Sequence, residues 1–508
     1  MEQKNLKVPV TVNQSVLNQS SEIPIDTDFT LPDYCPEISK ILKCKTDIFI
    51  LSKGINGKNI NIDGNVLITL IYVSPEDTLY SYEYQYPFNK VIECDESIDG
   101  ADIFAAAKTD YINCRAVSAR KIDIHGALTL KTEAQKKQTF EIISDIDDDT
   151  VELHRAVIPA TTPLSYSEKY ISIEEETDIA GSDESIECIL RYEAVPHIKE
   201  CKLLPNKAML KGELCVKAVY ITSDNKRGQM NISVPFSQLL GIEGINEDCK
   251  CTSGCKLCSL EVKPSSNQDS KSFITSAKVL VWCRTFCEND IEVITDAYSR
   301  KYSADIKKSN VKFSKLCCEI CDNLNLKENI TDENISIANV ADMWYVSEIE
   351  SKSIENGSLS IKGNIGVFLI VTDDDGESYA LERKVPFDYN KSLECCEKAL
   401  YCDPEISINS GSYIITSSDT IEIRLDICIK AGIYSENDGL VVTNVLLDSS
   451  KPVEKLSKGA MTVYFASIGE NIWDIAKKYC ASVKEIKQIN DLNCDTLENE
   501  KMLLIPMI

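Results

Sequence analysis

Apolar and polar residues alternate with a period of two through most of this chain, placing every second side chain on one face of a strand. The pattern is sharpest in three related runs. Each opens on a glycine and is followed by a Pro-Phe pair: Gly64 to Tyr72 with Pro87-Phe88, Gly212 to Tyr220 with Pro235-Phe236, and Gly363 to Val371 with Pro386-Phe387. Glycine and proline stand 23 residues apart in every copy, and the copies begin 148 and then 151 residues apart. A turn-rich segment follows each run, at 74–77, 223–225 and 373–376. A second strand then ends at the proline, which cannot donate to a ladder. Three matches at fixed spacing make an internal repeat of β-rich units.

Taken in order, the alternation around Val8, Val10 and Val12 predicts an edge strand within residues 1–24. The stretch Leu31–Lys43 carries two prolines and places Ile38, Ile41 and Leu42 on one helical face. Strands follow through 46–51, 58–72, 80–87 and 109–132. The acidic bridge Asp145–Asp149 separates the first repeat from the second, and asparagine-rich 323–332 reads as a polar link into the third. The fold class expected is multidomain: three mainly antiparallel β-rich repeats at 1–145, 150–325 and 333–450, then a small α+β domain at 461–508 of order βααβ. A short linker at 448–458 joins them. In the last domain 462–465 is the first strand, 472–479 a helix, 483–489 a second helix and 502–505 the closing strand.

The chain has 508 residues, too many for one core, with about two to four domains as the prior. Its formal net charge of −26 disfavours nucleic acid and anionic membranes as partners, since both require basic surface. The N-terminus lacks the apolar core of a signal peptide, and the longest apolar runs are strand-sized, so no membrane span is expected. Twenty-two cysteines without an export signal then predict reduced thiols rather than a disulfide framework.

Candidate chemistry is sparse. The three histidines, His125, His154 and His197, stand in no metal-ligand spacing. No nucleophile elbow, Walker loop or dinucleotide fingerprint is present, and carboxylate clusters such as Glu174–Glu176 read as solvated faces. No enzyme activity is expected. The densest cysteine cluster is Cys249, Cys251, Cys255 and Cys258, a set of thiols that could hold zinc. Its cramped Cys-x-Cys half and the lack of a second knuckle favour ordinary loop thiols and no cofactor. Oxidative cross-linking in an assembled shell is a third reading.

The tail resembles the LysM domain. Gly469-Glu-Asn-Ile-Trp473-Asp-Ile-Ala476 is similar to that family's Gly-Asp-Thr-Leu-x-x-Ile-Ala segment, Ile489-Asn490 to its Leu-Asn, and Leu504-Ile-Pro506 to its closing strand. Glu470 and Asn471 depart from Asp-Thr. The resemblance implies a shallow groove for N-acetylglucosamine polymers, walled by the loops 467–472 and 489–493. Its candidate contacts are Ser467, Ile468, Gly469, Glu470, Asn471, Ile472, Asn490, Asp491 and Leu492, with Asn490 either a brace or a contact and Trp473 a packed helix residue.

The repeats resemble the SPOCS domain of spore-coat-associated proteins, through Leu31-Pro-Asp33, Pro36-Glu-Ile38 and the Gly-strand-Pro-Phe unit. SPOCS repeats followed by one LysM resemble the SpoIVA-interacting protein L type of spore morphogenetic protein. That resemblance implies a cytoplasmic protein of the mother cell, recruited to the forespore and spore coat surface. Its LysM domain would dock onto the coat basement-layer ATPase of the SpoIVA type, and its repeats would self-associate. The alternative is a peptidoglycan-binding protein of cortex or cell wall.

Overall fold

The computed structural model describes residues 5–178, 185–223, 227–265, 272–394, 400–453 and 459–506. The turn residues Asp224 and Asn225 and the linker residues 454–458 fall outside that range. The first repeat holds β1 (Asn5–Thr30), β2 (Lys40–Asn56), β3 (Asn59–Val73), β4 (Leu79–Glu93), β5 (Asp102–Ala116) and β6 (Lys121–Ile146). The second holds β7 (Val151–Asp178), β8 (Ile186–Leu204), β9 (Lys207–Thr222), β10 (Arg227–Gly241), β11 (Lys250–Pro264) and β12 (Ser272–Ser299). The third holds β13 (Tyr302–Thr331), β14 (Ile337–Glu355), β15 (Ser358–Asp373), β16 (Ser378–Ser392), β17 (Leu400–Ser417) and β18 (Thr420–Pro452). Last come β19 (Met461–Ala466), α1 (Ile472–Tyr479), α2 (Val483–Ile489) and β20 (Lys501–Pro506).

Each repeat is two three-stranded antiparallel sheets with the same strand order. In the first repeat these are β1-β6-β5 and β2-β3-β4; the second has β7-β12-β11 and β8-β9-β10, the third β13-β18-β17 and β14-β15-β16. Alternation buries one face of each sheet against the other. Ile60, Ile62, Val66, Ile68 and Leu70 of β3 thus meet Ile122, Ile124, Leu128 and Leu130 of β6 in one core.

The glycine opening each run has a steric cause. Gly64, Gly212 and Gly363 lie opposite Phe88, Phe236 and Phe387. A Cβ there would stand 2.2, 2.5 and 2.7 Å from the nearest ring carbon, so the phenylalanine takes the space a side chain would need. The proline does not end its strand as expected. β4, β10 and β16 run on through Pro87, Pro235 and Pro386 because they are edge strands, where a missing N–H costs no ladder bond.

The sheet pairing moves two further readings. β13 pairs with β18 along its length, so 302–325 belongs to the third repeat rather than the second, and 323–331 is strand rather than link. That polar stretch is exposed on alternate residues of an edge strand, which is why it resembled a loop. Residues 31–39 form turns and extended chain leading into β2, not a helix. Leu31, Cys35 and Ile38 anchor this segment in the core, while Arg120 donates to the Pro32 and Cys35 carbonyls.

One disulfide is an exception to the expectation of reduced thiols. Cys44 of β2 and Cys114 of β5 form a disulfide across the seam between the first repeat's two sheets, while others, among them Cys35, Cys94, Cys201, Cys251 and Cys283, are thiols.

The long strands do more than close their own sheets. Their outer ends meet about a common line, where equivalent residues of the three repeats share a core: Ile143, Ile294 and Val442, with Ile146, Ala297 and Val445. Val10, Ile142, Ala160, Val293, Phe313 and Val441 extend this stem. The β3, β9 and β15 sheets meet a second time through Ile71, Val219, Ile370 and Trp344. Beside that contact Arg191 of the second repeat is buried in a bidentate pair with Asp342 of the third, and its Nη1 also reaches Glu193 at 2.6 Å. Burial pushes the Asp342 carboxyl up, but the Arg191 charge and hydrogen bonds outweigh it and hold it below the usual range.

Candidate functional site

The C-terminal unit has the expected βααβ order, with β19 and β20 antiparallel and both helices packed over them. Ile472, Ile475 and Ala476 share a buried face of α1, and Ile486 fills the same core from α2. Asn471 is the helix N-cap: its Oδ1 accepts from the Trp473 N–H at 2.8 Å. This explains a departure from the Asp-Thr pattern, since asparagine caps a helix at least as well as threonine.

The first candidate loop is closed by its own backbone and by Glu470. The glutamate accepts from the Ser467 N–H at 2.7 Å and from the Tyr464 hydroxyl at 2.8 Å, and these donors hold its carboxyl below the usual range. Gly469 takes φ of 85°, a backbone that suits glycine. A segment the sequence did not single out braces the loop: Gly469 and Ile472 donate to Leu497 and Asp495, and Leu497 donates back to Glu470.

The second loop is pinned by Asn490. Its side chain donates to the Ile486 and Leu504 carbonyls and accepts from the Leu504 N–H, all within 2.8 Å. Every polar atom of that side chain is thus engaged, which makes Asn490 a brace rather than a free contact. Ile472 is likewise fully buried. The side chains left outward are Ser467, Ile468 and Asp491, with Glu470, Asn471 and Leu492 half-buried. Ile468 is 66% exposed and Phe465, just before the loop, 76%.

Trp473 is buried as expected, but largely by another part of the chain. Its ring packs on His154 and Tyr298 at 4.9 and 5.0 Å, and its Nε1 donates to Asp296 at 3.0 Å. Lys477 and Lys308 also pair with Asp296, and the Tyr298 hydroxyl donates to the Ala481 carbonyl at 2.6 Å. Burial raises the Asp296 carboxyl, but the Lys477, Lys308 and Trp473 donors outweigh it and bring it down to about 2. An extra residue at Thr295 shifts the register of β12 just before Asp296, the kind of bulge that re-aims a side chain. No periodicity in the sequence marks this docking surface. The α1 face carrying Trp473, Lys477 and the following Ala481 is thereby covered by the second repeat.

The four predicted cysteine ligands are not brought together. Cys251, Cys255 and Cys258 lie along β11, with Cys249 just before it, and residues four apart on a strand are about 13 Å apart. Cys249 pairs instead with Cys287 at 3.9 Å, and Cys251 with Cys201 and Cys283. Burial pushes the Cys255 thiol up to about 12 and raises that of Cys258.

A groove of about 1050 Å³ separates the first and third repeats, lined in part by Lys43, Asp47, Lys108, Asp110, Glu348 and Glu382. No histidine or cysteine nucleophile with a base stands in it among the described residues; its two cysteines, Cys44 and Cys114, are the disulfide. His125 lies exposed elsewhere, flanked by Asp26 and Asp123. No helix is long and apolar enough to cross a membrane among the described residues.

Comparison with known families agrees with this geometry. The SipL SPOCS domain model matches residues 37–117 and 185–264, and the LysM domain model matches 467–506. No curated protein and no solved structure matches the chain. Both matched families are binding domains, LysM being a peptidoglycan-binding class and SPOCS a sporulation one. The two SPOCS matches each span the β2-to-β5 or β8-to-β11 core of a repeat, and the third set of sheets has the same strand order. The chain carries two SPOCS-domain segments and a LysM domain, the combination of a sporulation-associated protein with a peptidoglycan-binding domain.

Proposed function

We propose that this chain is a non-catalytic assembly protein of the spore envelope. It acts from the mother-cell cytoplasm, docks through the LysM loops onto a coat basement-layer protein of the SpoIVA ATPase type at the forespore surface, and assembles through its β-rich repeats. The observation that carries the reading is the covered α1 face. With Trp473 and Lys477 engaged by the second repeat, Ser467, Ile468 and Asp491 of the two loops stay exposed. Their exposed isoleucine beside an exposed phenylalanine offers apolar anchors of the kind protein interfaces use. The edge strands of each repeat supply further pairing surface for copies of the chain.

The second reading is a peptidoglycan-binding protein of cortex or wall, favoured by the LysM match and by the polar loop residues Ser467, Glu470 and Asp491. The intact chain separates the two. Binding to the purified basement-layer ATPase, with no sedimentation on insoluble peptidoglycan, is the expected result. Sedimentation with the glycan, reversed by chitin oligomers and without ATPase binding, would replace the first reading by the second.

A further inference from the structure

Equivalent points of the three repeats carry different chemistry at the seam between their two sheets. In the first repeat Lys53 of β2, opposite Ile62, donates from its ammonium to the Ile103 carbonyl of β5 at 2.7 Å. In the third, Lys352 of β14, opposite Ile361, donates to the Cys402 carbonyl of β17 at 2.8 Å. Ile62, Leu210 and Ile361 each stand two residues before the glycine of their run, so the second repeat's counterpart of these lysines is Cys201, opposite Leu210. The counterpart of Ile103 and Cys402 is Cys251, for it lies opposite Thr285 as they lie opposite Ala134 and Ile433. Cys283 completes the group where the other repeats have Thr132 and Ala431. A cation therefore joins the two sheets in repeats one and three, and in repeat two the lysine has given way to three converging thiols.

We propose that Cys201, Cys251 and Cys283 bind a thiophilic metal cation, with zinc the first candidate, which takes the place of the lysine ammonium in closing the second repeat's seam. The Cys201 sulfur lies 3.5 Å from that of Cys251 and 3.9 Å from that of Cys283, and all three fall within 4.8 Å of one another. Zinc–sulfur bonds of about 2.3 Å in a tetrahedron set sulfur–sulfur edges of about 3.7 Å, close to these separations. The ligands come from three strands, β8, β11 and β12, so the metal would tie both sheets of the sandwich together. Cys283 is fully buried and the other two are half-buried, leaving a way in from the seam. Three protein thiolates leave the fourth tetrahedral position to a small ligand such as water.

The test is metal binding by the intact chain purified without oxygen. Zinc by elemental analysis and cobalt by its thiolate charge-transfer absorption should each reach one ion per chain. The absorption should vanish in Cys201→Ser, Cys251→Ser and Cys283→Ser and persist in Cys249→Ser and Cys258→Ser. Chelation should lower the Tm of the wild type. Cys201→Lys installs the residue of the other two repeats, so it should fold, bind no metal and show a Tm indifferent to chelator. Sub-stoichiometric metal in the wild type, cobalt absorption surviving Cys201→Lys, or a Cys201–Cys251 disulfide in peptides from the anaerobic protein would each overturn the proposal.

Discussion

The repeats and the LysM domain hold themselves together in different ways. Each repeat closes a sandwich and then lends the ends of its longest strands to a stem shared with the other two, so residues such as Ile143, Ile294 and Val442 have no core except the common one. The LysM unit draws its small core from its own adjacent elements, joined by one outside residue, Tyr298 of β12, and touches the rest through a few side chains around Asp296. The repeats should therefore behave as one cooperative body, with the LysM domain as a separable unit held in a set orientation. A rigid platform that presents a small binding head is a suitable arrangement for assembly at a surface.

The largest way to break the contrast is at the buried pair joining repeats two and three. Arg191→Leu leaves Asp342 charged and unpaired, and should cost about 3–5 kcal/mol. Urea unfolding should show the loss in the strand signal of all three repeats, with LysM unfolding unchanged. In the other unit, Trp473→Ala removes the ring that packs against His154 and Tyr298, at about 3–5 kcal/mol by the usual cost of such a truncation. That change should be confined to the LysM transition.

How legible each unit was in the sequence follows from the same contrast. In the LysM segment a helical face (Ile472, Ile475, Ala476) and a cap (Asn471) lie within a few residues of one another, so both helices could be read to the residue. The Gly-to-Pro-Phe unit was equally visible because one hairpin contains it. The boundary near residue 300 was not, because β13 finds its partner β18 about a hundred residues later, and only that pairing assigns it to the third repeat. The thiols show the same limit. Cys249 to Cys258 are close in sequence but strung along one strand, while Cys201, Cys251 and Cys283 converge from three. Nothing local marks Asp296, Tyr298 and His154 as the seat of Trp473.

Smaller perturbations sharpen the contrast. Gly212→Ala places a methyl group against the Phe236 ring and the His197 carbonyl, and should cost about 1–3 kcal/mol of repeat stability. Pairing it with Phe236→Leu should recover part of the loss in a denaturant titration. The smallest effect expected is on docking. The Asp296 carboxyl is depressed to about 2 from an unfolded value near 3.9. Its contribution is therefore complete above about pH 4 and is lost as pH falls toward about 2. Small-angle scattering should show the LysM unit loosening from the stem across that window, and Asp296→Asn should loosen it already at pH 7.

Hydrogen exchange on the intact chain, alone and with the basement-layer ATPase, tests the central claim most directly. The account predicts that stem amides of β6, β12 and β18 exchange as one slow class, that LysM amides exchange separately, and that the partner adds protection at 467–472 and 489–493. Three independent repeat rates, or partner-induced protection on α1 instead of those loops, would contradict it.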